Sequence, residues 1–193
     1  GPFMDISASA ASNFNTLIAD GSITNDSTLY LKFTSSEPTS DFAIGDISLN
    51  YAGSAIADPT AGTPNLISNF TQVSTTVYTV ELNTSSDATG GPAYDGSEYQ
   101  IQVIPGSFTD APGNPDELHS NVASRIYNWT FDNTAPTMTI TAAEVSDGDT
   151  SNDAALSLTF TSSEATTNFA SEDITTSNGG ISAFNATNST VYT

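Results

Sequence analysis

The chain of 193 residues carries 2 Lys and Arg against 22 Asp and Glu, a formal net charge of −20. Such a surface repels nucleic-acid phosphate and anionic lipid, which argues against both as partners, while it attracts divalent cations. Without cysteine there are no disulfides or thiolate metal sites, and no run of about 18 apolar residues marks a segment that inserts into a membrane.

Gly1, Pro2 and Phe3 read as a cloning scar. Residues 4–8 form a short opening strand, and the polar stretch 9–27 reads as a long connection. In residues 29–34, Leu29, Leu31 and Phe33 alternate with Tyr30 and Lys32, the pattern of a strand with one buried face. Pro38 prevents further pairing. Residues 46–51 form a third strand with Ile47 and Leu49 inward. The stretch 52–64, rich in Gly, Pro and Asp, reads as an inserted surface loop. Residues 66–70 and 76–82 are further strands, the second with Tyr78, Val80 and Leu82 facing the core. After the turn-rich stretch 85–96, Tyr99, Ile101 and Val103 alternate with Gln100 and Gln102. Residues 108–114 form a loop. The last strand, 125–132, puts Tyr127, Trp129 and Phe131 on one face, with Trp129 as core packing. About seven short strands separated by turns predict an all-β, antiparallel β-sandwich. No apolar spacing of three and four persists long enough to predict a helix.

The pattern then starts again. Met4-Asp5-Ile6-Ser7-Ala8 returns as Met138-Thr139-Ile140-Thr141-Ala142. Leu31-Lys32-Phe33-Thr34-Ser35-Ser36-Glu37 returns as Leu158-Thr159-Phe160-Thr161-Ser162-Ser163-Glu164, and Thr76-Val77-Tyr78-Thr79 as Thr190-Val191-Tyr192-Thr193. An internal repeat indicates modules of one kind in series. Residues 4–133 read as one complete sandwich. Residues 134–193 read as the first part of a second, and the natural protein is expected to continue. A half-sandwich exposes strand edges and an uncovered face, so contact with another molecule through the second copy is expected.

Three segments carry a family resemblance: the strand end Phe33-Thr34-Ser35-Ser36-Glu37, the loop Phe108-Thr109-Asp110-Ala111-Pro112-Gly113-Asn114, and the crossing Trp129-x-Phe131-Asp132-Asn133-Thr134-Ala135-Pro136. With them the chain resembles tandem bacterial immunoglobulin-like domains of very large surface proteins and adhesins. In the loop, Pro112 replaces the small residue usual in that family. The resemblance implies an immunoglobulin-like sandwich and an extracellular, cell-surface spacer or adhesive stalk, with neighbouring repeats as its first partners; fold by itself does not set function.

Strand order places the acidic residues. In an immunoglobulin order, Glu37, Asp41, Asp46, Asp110 and Asn114 share the N-terminal pole of the first copy. Asp132 and Asn133 leave the opposite pole towards Glu164, Asn168 and Asp173 of the second. Ca²⁺ takes about six to eight hard oxygen ligands, and the junction is similar in logic to cadherin linkers. A Ca²⁺ that stiffens the junction through Asp132, Asn133, Glu164 and Asp173 is therefore one expectation; the other is that these are solvated turn formers. A competing role is recognition of a surface glycan or protein by the loops at one pole, including 52–64, with Tyr51, Tyr94 and Phe108 as the aromatic candidates. Asp147-Gly148-Asp149 reads as a plain loop because its spacing does not fit an EF-hand. His119 stands alone, and nothing else supports a nucleophilic triad, so no enzyme is expected. Lys32 points outward and is replaced by Thr159 in the second copy, which argues against an isopeptide cross-link.

Overall fold

Alternating apolar residues build the molecule strand by strand. The computed structural model describes residues 1–60, 66–84, 96–111 and 120–193. It divides into two units, Gly1–Thr134 and Ala135–Thr193. The strands of unit 1 are β1 (Met4–Ser9), β2 (Leu17–Ile18), β3 (Ser22–Thr24), β4 (Thr28–Ser35), β5 (Ile47–Tyr51), β6 (Ser54–Ala55), β7 (Ile67–Gln72), β8 (Val77–Asn83), β9 (Glu98–Val103) and β10 (Tyr127–Phe131). Those of unit 2 are β11 (Met138–Ala142), β12 (Leu158–Ser162) and β13 (Val191–Tyr192). The only helical pieces among the described residues are two short 3-10 turns, Ile44–Asp46 and Ser171–Asp173.

Unit 1 is an immunoglobulin-like sandwich. One five-stranded sheet runs β2-β1-β4-β8-β7 and the other β3-β10-β9-β5-β6. Leu29, Leu31 and Phe33 of β4, Tyr78, Val80 and Leu82 of β8, Tyr99, Ile101 and Val103 of β9, and Tyr127, Trp129 and Phe131 of β10 meet in one core, as their alternation predicts. Trp129 is fully buried and stacks on Tyr99 with ring centroids 5.1 Å apart and planes 5° from parallel.

Several expectations need correction. The stretch 9–27 is not an unpaired connection, because β2 pairs with β1 and β3 pairs with β10. Nor is the sandwich wholly antiparallel: the β3–β10 pair is parallel, Trp129 lying opposite Ser22. The chain leaves the first sheet after β2 and crosses to the second, where β3 pairs with the backbone groups on the outer edge of β10. Polar strands this short carry no periodic signal. The inserted stretch 52–64 opens as a tight hairpin, with Ala52 and Gly53 both at positive φ (48° and 78°) between Tyr51 and Ser54; residues 61–65 lie outside the described ones. Pro2 is buried, its carbonyl accepts a hydrogen bond from the Val122 N–H at 3.1 Å, and it stands at the repeat position of Pro136. Pro2 and Phe3 thus hydrogen-bond to the sandwich.

Unit 2 is a single sheet, β11-β12-β13. Its pairings copy those of unit 1: Ile140 opposes Phe160 as Ile6 opposes Phe33, and Phe160 opposes Tyr192 as Phe33 opposes Tyr78. What differs is cover. Ile6 and Leu29 are 2% and 0% exposed in unit 1, whereas their counterparts Ile140 and Leu156 are 58% and 44% exposed.

Candidate functional site

The N-terminal pole of unit 1 is tied together by hydrogen bonds across the sandwich. Thr39 bridges to Asp110, and the Ala111 N–H donates to the Pro38 carbonyl at 2.8 Å. Asp41 is the knot. Its carboxylate accepts the Thr109 N–H at 3.0 and 3.1 Å, the Thr109 hydroxyl at 2.8 Å and the Thr39 hydroxyl at 3.1 Å. Burial pushes its carboxyl up, but the Thr109 and Thr39 bonds outweigh that and hold it below the usual value. Asp46 is the opposite case. Its Oδ2 accepts the Ala43 N–H at 2.7 Å and so caps the 3-10 turn, but burial, aided by the Asp41 charge, leaves its carboxyl raised. Asp110 is 8% exposed and Glu37 is half-buried. The strand order thus does bring Glu37, Asp41, Asp46 and Asp110 to one pole, while Asn114 lies outside the described residues.

Beneath this pole sits a corner that both units build with the same contacts. The Tyr78 hydroxyl donates to the Thr39 carbonyl at 2.9 Å, with the Thr75 carbonyl 3.3 Å away. The Tyr192 hydroxyl makes the same contacts with Thr166 at 3.2 Å and Ser189 at 3.1 Å. Phe42 meets Tyr78 edge-on at 5.0 Å, and Phe169 meets Tyr192 at 4.9 Å. The Ala170 N–H donates to Asp173 Oδ2 at 2.9 Å, repeating the Asp46 cap. The Ser36 N–H donates to the Phe3 carbonyl at 2.8 Å as Ser163 does to Thr137 at 2.9 Å. Sequence reasoning saw Tyr78 only as a buried strand residue and Tyr192 only as its repeat. Their recurrence in a repeated Thr-Val-Tyr-Thr was the available signal.

Residues 132–193 match the family model of the bacterial Ig-like domain. No curated protein sequence matches the chain. The Ig-like match covers unit 2, and the shared corner carries the same architecture into unit 1. In that light the predicted junction residues divide between the units: Asp132 and Asn133 in unit 1, Glu164 and Asp173 in unit 2. Asp132 Oδ1 accepts the Thr134 N–H at 3.1 Å, a local turn, and Asp173 caps its own turn. Among the described residues no three His, Cys, Asp or Glu side chains are grouped to hold a metal. The aromatic residues named for a binding pole fare as follows: Phe108 is 1% exposed and packs on Phe42 at 5.1 Å, Tyr51 is half-buried against Tyr99 at 5.3 Å, and Tyr94 lies outside the described residues. Phe108 therefore belongs to the core and not to a ligand surface. No helix among the described residues is long and apolar enough to cross a membrane.

A second tether escaped the sequence reading. Asp20 accepts the Asn128 N–H at 2.8 Å and its Nδ2 at 3.2 Å, and pairs with Arg125 at 3.3 Å. It pins the crossing segment to β10. Beside it the Tyr127 hydroxyl donates to the Ile18 carbonyl. Burial, with the Asp20 charge, pushes Tyr127 up to about 12.

Proposed function

We propose that this chain is a non-enzymatic spacer: an Ig-like module of a long, acidic, extracellular surface protein, acting in series with its neighbouring repeats. The observation that carries the reading is the corner built twice. The same tyrosine hydroxyl, aromatic contacts, turn cap and strand-end hydrogen bonds recur in both units, while their outer faces differ. What recurs is what holds the sandwich, as expected of a part whose work is mechanical. The charge of −20 keeps such a surface soluble and self-repelling. Pulling the whole chain by its ends in a force microscope tests this. Unit 1 should give one cooperative rupture releasing roughly 400 Å of chain; extension without a force peak would overturn the spacer reading.

A Ca²⁺ that stiffens the junction is the finer part of the proposal, and it rests on the oxygen-rich sequence around Thr134. It predicts a melting temperature that falls in EDTA and recovers with CaCl₂. The same melt in both solutions removes the metal and leaves the spacer.

A further inference from the structure

We infer that the outer face of the first sheet of unit 1 carries a binding groove for a neutral sugar ring. This goes beyond the spacer reading. The groove has a volume of about 380 Å³ and lies across β4, β8 and β7. One wall is the loop between β1 and β2, which carries Phe14. The other is the bulge in β7, where the register with β8 shifts between Ser68 and Thr71. Lys32 and Tyr30 on β4 and Glu81 on β8 form its floor, Tyr30 directly opposite Glu81.

Both walls hold their side chains from unusual backbone. Phe14 has φ 56°, costly for a bulky side chain, and its ring lies 5.1 Å beneath the Lys32 ammonium. Such outliers persist where the surroundings impose them, and they cluster at binding sites. Asn69 has φ 54°, and its Nδ2 donates to Glu81 Oε2 at 2.7 Å. Unit 2 supplies the internal control. It keeps the left-handed backbone, with Ala183 at φ 55° in the place of Asn69. Yet Ser157 replaces Tyr30 and Thr159 replaces Lys32. Val77 and Thr79 of the groove recur with the core residues, but Tyr30, Lys32 and Asn69 do not, so the fold does not require the polar chemistry of the groove.

The chemistry selects the ligand. Phe14 and Val77 offer apolar surface to the C–H face of a pyranose, and the amide–carboxylate pair offers donors and acceptors to adjacent hydroxyls. Lys32 and Glu81 balance each other inside the groove. The surrounding charge of −20 repels acidic sugars.

Amide chemical shifts of the whole chain, titrated with cellobiose, maltose and lactose, test the proposal. At least one sugar should give saturable shifts at Phe14, Lys32, Asn69 and Glu81. The double variant Lys32→Thr, Asn69→Ala, which installs the residues unit 2 already tolerates, should weaken binding at least tenfold, and Phe14→Ala should do the same, with core shifts unchanged. Absence of saturable shifts up to about 50 mM of every sugar overturns the proposal. So does binding that survives the double variant, or binding only of the acidic control digalacturonate.

Discussion

At the scale of single residues, two neighbouring carboxylates respond to pH with opposite sign. The Asp41 carboxyl lies below its unfolded value, so its contribution to stability is complete above the ordinary Asp value of about 4 and fades as pH falls through the native one. Asp41→Asn should therefore cost about 1 kcal/mol at pH 7, the worth of a charge-assisted bond in a solvated site, and nothing once both forms are neutral. Asp46 is raised, so the stability of its protonated form is present in acid and lost as pH rises through the native value. Asp46→Asn keeps an oxygen for the Ala43 N–H and should raise neutral stability by no more than about 0.5 kcal/mol. Urea midpoints of both variants from pH 3 to 7 check the pair. The sequence placed these carboxylates at one pole but could not tell them apart. Whether Thr109 or only solvent faces a carboxylate depends on where a distant loop comes to rest.

At the scale of elements, the corner is the sensitive part. Tyr78→Phe leaves the Thr39 carbonyl without its donor and should lower the unit 1 midpoint by about 1 kcal/mol in chemical denaturation. Trp129→Ala empties the centre of the core and should cost about 3–5 kcal/mol by the same measurement. The long strands were legible because each presents one uninterrupted apolar face: β4, β8, β9 and β10 came out with the expected residues buried. The short strands β2, β3 and β6 were not. A pair of polar residues joins a sheet only because a neighbouring edge has backbone groups to satisfy, and that edge is assembled from residues far along the chain.

At the scale of the whole molecule, the two units should differ in stability. They share strand register and corner contacts, yet unit 2 has only Phe160 and Tyr192 as buried large hydrophobic side chains. Native-state hydrogen exchange should find the β11 and β12 amides opening at least about a hundredfold faster than those of β1 and β4. Equal protection in both units would mean that unit 2 buries its apolar face against something that its own strands do not provide.

The sequence by itself determined the fold class, the repeat and the inward residues of β4, β5, β8, β9 and β10, because alternation and recurrence are local and survive without knowledge of neighbours. Only the tertiary structure decided that Asp41 is a knot and Asp46 a cap, that β3 runs parallel to β10, that Phe108 is core, and that Phe14, Lys32, Asn69 and Glu81 share one groove. Each of these depends on residues distant in sequence meeting across a sheet or a loop, and no periodicity in the chain records such a meeting.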